Sequence, residues 1–91
     1  NHRGDGLLEI HNKGGKRVLA AAANNRGDGL LEGYNSHGKL VTVVASNDRG
    51  DGLVNVANKK GRWVSAVGAA TNGNGLMETF KADGSLSKTF P

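Results

Sequence analysis

The chain has no cysteine. Disulfide staples, thiolate metal sites and cysteine nucleophiles are therefore excluded together. Proline, tryptophan, tyrosine and methionine occur once each, and phenylalanine twice. Aromatic residues make up 4% and the apolar set 36% of the sequence, so material for a core is scant and is mostly Leu, Val and Ala. No uninterrupted run of about 18 apolar residues is present, which leaves nothing suited to a membrane-spanning helix. Acidic residues are outnumbered, 8 against 12 Lys and Arg, for a formal charge of +4. Charges of both signs are mixed along the chain, so the excess favours solubility and weak attraction to acidic surfaces. At 91 residues this is one small domain or one segment of an array. Small domains with few apolar groups and no disulfides commonly rely on oligomerisation.

Glycine is the residue in excess, 15 of 91, and it recurs at intervals of 23. Gly4, Gly27, Gly50 and Gly73 are equivalent, as are Gly6, Gly29, Gly52 and Gly75, and then Gly15, Gly38, Gly61 and Gly84. Leu7, Leu30, Leu53 and Leu76 share one further position. The period divides the chain into repeats 1–23, 24–46, 47–69 and 70–91. A fixed period of this size marks a repeat architecture, in which one supersecondary unit must join its neighbours to bury an apolar face. The chain opens at Asn1 without Met or a leader pattern and stops at position 22 of its fourth repeat, which reads as an in-register module.

Each unit holds two short apolar segments, such as LLEIHN and KRVLAAA, separated by N-K-G-G, N-S-H-G, N-K-K-G or K-A-D-G. Asn first and Gly last suit a type I turn followed by a left-handed residue. The repeated glycines are accordingly read as structural turn positions. If position 12 faces 16, then 10 faces 18 and 8 faces 20 on one side, with 7/21, 9/19 and 11/17 on the other. Both sides then carry apolar groups. The expected fold is all-β: four 23-residue hairpins in an up-and-down meander or small barrel, with a β-solenoid as the alternative should N-x-R-G-D-G carry the chain up a layer rather than reverse it.

Motifs that suggest chemistry compete with simpler readings. Arg-Gly-Asp occurs at residues 3–5, 26–28 and 49–51 and matches an adhesion tripeptide. Gly-Asp-Gly is also ordinary turn chemistry, and Arg two residues before Asp permits a local ion pair or a ladder between units. Asn1, Arg3, Asp5 and Gly6 imitate part of a calcium loop, but a cation occupies a ligand place and Asn12 stands where a bidentate Glu belongs. His2, His11 and His37 sit at three different repeat positions without metal-ligand spacing. Glu9, Glu32 and Glu78 recur at one position and read as a solvated waist. Lys13, Lys16, Arg17, Lys39, Lys59, Lys60 and Arg62 cluster near the hairpin turns, a pattern that suits a polysaccharide or other polyanion and equally keeps a strand edge from sticking. Nucleic acid is disfavoured.

The N-x-R-G-D-G-L-L-E…N-x-x-G-K frame runs through the whole chain. It resembles the tandem β-hairpin repeat modules of microbial extracellular and cell-surface proteins, including tandem β-barrel filament subunits. The resemblance implies an extracellular or cell-surface location and supplies no catalytic residue. Together with apolar groups on both sheet faces and an atypical fourth unit, it leads to a non-enzymatic structural subunit that self-assembles into a filament or surface layer, with no cofactor and no metal. Its partner is a second copy, in a homo-oligomer or polymer. The expected contacts are Leu7, Leu30, Leu53, Leu76, Tyr34, Leu40, Trp63, Phe80, Leu86 and Phe90. A carbohydrate- or surface-ligand-binding repeat module is the alternative.

Overall fold

The structure, a computed structural model, describes residues 6–90. Gly4 and the first Arg-Gly-Asp triplet lie outside the described residues. Eight strands follow one another: β1 (Leu7–His11), β2 (Arg17–Ala23), β3 (Gly29–Tyr34), β4 (Leu40–Ser46), β5 (Gly52–Ala57), β6 (Trp63–Ala69), β7 (Gly75–Phe80) and β8 (Leu86–Phe90). They form one antiparallel sheet in sequence order. The chain is thus an up-and-down meander of hairpins. The sheet is open: β1 and β8 do not pair with each other, so no barrel closes, and no parallel rungs of a solenoid form.

One turn makes every connection. The amide of Gly15 donates to the carbonyl of Asn12, and the amide of Asn12 donates to the carbonyl of Lys16. The same two bonds recur in the turns beginning at Asn24, Asn35, Asn47, Asn58, Ala70 and Lys81. The fourth residue is always a glycine in the left-handed region, with φ between 84° and 92° (Gly15, Gly27, Gly38, Gly50, Gly61, Gly73 and Gly84). A side chain there would be strained, and no other residue type takes a positive φ among the described residues. N-x-R-G-D is therefore the same reversal as N-x-x-G-K. The second glycine of each frame has a different role: Gly29, Gly52 and Gly75 open strands β3, β5 and β7. Gly6 lies just ahead of β1.

In five turns the leading Asn supports the reversal with its own side chain. Asn12 Oδ1 accepts from the amides of Gly14 and Lys16, and Asn24, Asn35, Asn47 and Asn58 do the equivalent. Ala70 and Lys81 cannot. There Asn72 and Asp83 instead accept from the amides of Asn74 and Ser85. The fourth unit thus keeps the turn while changing the residue that braces it.

The register differs from the simple expectation. His11 faces Arg17, as the turn requires, but Ile10 then faces Leu19, Glu9 faces Ala20, Leu8 faces Ala21 and Leu7 faces Ala22. A β-bulge of one residue intervenes, and equivalent shifts accompany Tyr34/Leu40, Ala57/Trp63 and Phe80/Leu86. The 10/18, 8/20, 7/21 and 9/19 pairings are therefore corrected by one position. The physical reason lies in the period. Two identical turns with unbroken strands would advance each row by 24 residues per unit. The sequence repeats every 23, so each position would change faces from one unit to the next. One bulge per hairpin absorbs the odd residue and holds each repeat position on one face.

The result is a single layer measuring 38 × 29 × 13 Å. Its radius of gyration, 14.7 Å, exceeds the ~12 Å of a compact domain of this length. Its exposed surface, 6212 Å², exceeds the ~5,000 Å² expected for its mass. Among the described residues, only Ala20 and Ala57 are buried apolar residues and no large side chain is fully enclosed. The sheet has two faces and no interior.

Candidate functional site

Cross-strand partners share a face, so the register assigns every strand side chain. On one face, here the striped face, Leu7, Ala22, Leu30, Ala45, Leu53, Gly68 and Leu76 form a row in which leucine alternates with small residues. Beside it runs Glu9, Ala20, Glu32, Val43, Asn55, Ala66, Glu78 and Thr89. Nearest the turns come His11/Arg17, Tyr34/Leu40, Ala57/Trp63 and Phe80/Leu86. Of the expected contact residues, all but Phe90 lie on this face. Leu30, Leu53 and Leu76 are half-buried against their small neighbours, whereas Leu7 and Leu86 are exposed.

A polar network ties the striped face together across β1, β2 and β3. Arg17 Nη1 lies 2.9 Å from Glu9 Oε2, and Arg17 Nη2 donates to the Tyr34 hydroxyl at 3.0 Å. That hydroxyl donates to Glu32 Oε1 at 3.0 Å, and the guanidinium carbon stands 5.0 Å from the tyrosine ring centre. The bond to Glu9, with help from Tyr34, raises the Arg17 pKa above its ordinary value. Partial burial, then the bond to the Glu32 carboxylate, raises that of the Tyr34 phenol. Glu32 serves as an acceptor that holds the ring, as a waist residue should.

The other face is where sequence reasoning fell short. Leu8, Ala21, Leu31, Val44, Val54, Val67, Met77 and Phe90 form one row that crosses all eight strands without a polar residue. It is also open: Leu8 is 58% exposed, Val44 39% and Met77 47%. On one side of it lies a row of minimal side chains, Ala23, Gly29, Ser46, Gly52, Ala69 and Gly75. On the other lie Ile10, Leu19, Gly33, Thr42, Val56, Ser65, Thr79 and Lys88. Lys88, in the outermost strand, is the one charged strand residue placed here by the register. This neutral face holds most of the exposed large apolar residues. The signal was present in the spacing of the turn-initiating residues, 12, 24, 35, 47 and 58, whose alternation of 12 and 11 announces the bulge.

The turns divide into two rims of unlike charge. One rim carries turns 12–16, 35–39, 58–62 and 81–85, with Lys13, Lys16, Lys39, Lys59, Lys60, Arg62 and Lys81 against Asp83 alone. None of these cations forms an ion pair among the described residues. Asp83 is held below its ordinary pKa by hydrogen bonds from the Ser85 hydroxyl and amide. Arg62 donates to the carbonyl of Asp83 at 2.7 Å. An open hollow on this rim is lined by Lys60, Gly61, Arg62, Trp63, Phe80 and Gly84.

The opposite rim carries turns 24–28, 47–51 and 70–74, where the charges cancel locally. Arg26 Nε lies 3.0 Å from Asp28 Oδ2 within its own tripeptide, and Arg49 Nε lies 3.1 Å from Asp51 Oδ2. Arg26 also reaches Asp48 at 3.2 Å and the carbonyl of Ser46 at the neighbouring turn. Both described Arg-Gly-Asp copies are therefore local ion pairs, and one is also a ladder between units. Their charged ends are engaged with each other rather than held apart for a receptor. Among the described residues no three His, Asp or Glu side chains assemble a metal cluster. No protein-family model matches this chain, and no curated protein shows significant sequence similarity to it.

Proposed function

We propose that the chain is a non-enzymatic structural subunit that self-assembles into an extracellular filament or surface layer. One observation carries this reading: a single-layer sheet with apolar rows on both faces and a core of two buried alanines. Contiguous exposed apolar surface marks interaction sites, and large exposed apolar residues lie on both faces here. The leucine row and the Tyr34, Leu40, Trp63, Phe80 and Leu86 row are contacts on the striped face, and Phe90 is a contact on the neutral face. The extracellular setting rests on the resemblance of the repeat frame to cell-surface hairpin modules. Light scattering and negative-stain electron microscopy of the purified chain should show large assemblies growing with concentration. A monodisperse monomer across the accessible range would reject the reading.

The basic rim favours a second reading, a binding module for an acidic polysaccharide. Its unpaired cations stand beside the Trp63 and Phe80 hollow, where an apolar platform meets positive charge. Retention on immobilised alginate that falls with salt, and falls further in a Lys60→Glu, Arg62→Glu double variant, is the expected result. Salt-independent retention or none would remove this reading.

A further inference from the structure

We infer that two copies of this chain stack neutral face against neutral face, making a two-layer β-sandwich from two one-layer sheets. This rests on the self-association proposed above and names the surface and the partner. Four independent features lead to it.

The first is flatness. At the average right-handed twist, eight strands accumulate roughly 150° between the outer pair. Such a sheet would be about as deep as its strands are long. This one is 13 Å deep against 29 Å and 38 Å in the other directions. Flat sheets of many strands are unusual and are typically stabilised by stacking.

The second is charge. Stacking the striped face on itself sets a row bearing Glu9, Glu32 and Glu78 against its own copy in a drying contact. Glu9 is bridged to Arg17 and Glu32 accepts from Tyr34, but taking these carboxylates out of water remains costly even when they are partnered. The neutral face has no such row, and Lys88 sits in the outer strand with its amine 5.1 Å from the Phe90 ring centre. It can stay at the periphery in contact with water.

The third is relief. The apolar row through Val44 and Val54 is a ridge. About 7 Å along the strands lies the row of Gly, Ala and Ser, which is a groove. A two-fold axis parallel to the sheets lets each ridge lie beside the other copy's groove, as an isologous contact requires. Sheets packed this way lie about 10 Å apart.

The fourth is area. A face of 38 × 29 Å offers on the order of 1,000 Å², above the ~800 Å² per partner of a standard stable interface. The outer faces of the sandwich are then the two striped faces, which keep the Glu9, Glu32 and Glu78 row in contact with water.

The test compares substitutions on opposite faces of one strand. Sedimentation equilibrium is run on the unaltered chain, on Val54→Lys and on Asn55→Lys. An unmatched charge buried at a dry contact should raise the dimer dissociation constant about 100-fold or more in Val54→Lys. Asn55→Lys, one residue along and facing the other way, should leave it within a few-fold. Folding is controlled for by conservative single-cysteine variants, since the chain has no cysteine of its own. Val54→Cys should yield covalent dimers with a short bis-maleimide, and Asn55→Cys should not. Dimers that withstand Val54→Lys, or cross-linking only at residue 55, would overturn the choice of face while leaving self-association standing. A chain monomeric at every concentration would overturn both.

Discussion

The two rims of the sheet are built from the same five-residue reversal, with the same pair of backbone bonds and the same left-handed glycine. They differ in the strands that leave the turn and in the charges around it. At the rim of Asn12, Asn35, Asn58 and Lys81, each turn is succeeded by a β-bulge and surrounded by unpaired cations. At the rim of Asn24, Asn47 and Ala70, the strands pair without interruption. Its arginines are engaged by their own aspartates. Closing a chain reversal and choosing the face of the next strand are thus separate tasks. The turn residues perform the first, and a single extra residue performs the second.

Adding to that residue should break the comparison most severely. A bulge absorbs one residue, so an alanine inserted between Val43 and Val44 would turn β5 through β8 over relative to β1 through β3, and the leucine row would switch faces at mid-sheet. The expected cost exceeds the ~1 kcal/mol of a typical point substitution, read as a lower urea midpoint. An insertion costing less than that would show that the bulge does not govern the faces.

Next in size are the glycines. Gly38→Ala on one rim and Gly50→Ala on the other should each cost about 1–2 kcal/mol, because an L side chain is strained at their φ of 84° and 87°. Equal losses would establish that the turn itself is blind to the rim. Gly52→Ala should cost less, since its φ is ordinary and a Cβ there meets nothing within 4 Å.

Losing the bracing side chain is smaller still. Asn35→Ala and Asn47→Ala should each cost about 1 kcal/mol, the net worth of an exposed hydrogen-bonding group. Ala70→Asn should move the other way and stabilise the fourth unit by restoring the brace. Thermal melts of the three variants would check all of these. An Ala70→Asn protein no more stable than the parent would mean that the brace contributes nothing there.

The least costly change is to the ion pairs. Arg49→Gln should destabilise by less than ~1 kcal/mol at low salt, and by less again at high salt, as exposed pairs do.

Tyr34 offers a separate check on the striped face. It is the one tyrosine in the chain, so phenolate absorbance reports it alone. Its midpoint should lie above the ordinary value of 10.0, and Glu32→Gln should bring it down. Because the folded-state pKa is the raised one, the associated stability is fully present below about pH 10. It is lost as pH climbs through the folded-state value. A midpoint at or below the ordinary value would mean that the Tyr34–Glu32 bond is not made in solution.

Much of this is legible in the residues. Asn-x-x-Gly marks a reversal because Asn can accept from the turn amides and Gly can take a positive φ, and both events are local. That is why the hairpins, the antiparallel order and the Arg–Asp pairing can be anticipated. The pairing 11/17, adjacent to the turn, is also accessible. The residues one step further from the turn are not. From the bulge outward every cross-strand partner moves by one, so the apolar row from Leu8 to Phe90 reads in the sequence only as separate small pairs. The second turn is concealed as well: the glycines of Arg-Gly-Asp-Gly look alike, yet only the first is left-handed.

The amino-acid sequence by itself determined the Asn-x-x-Gly reversals and the two strands that each of them joins, because each rests on interactions spanning about five residues. Only the tertiary structure decided which side chains share a face and that the sheet stays open and flat. Those properties accumulate over all eight strands, through register and twist, and no local segment contains them.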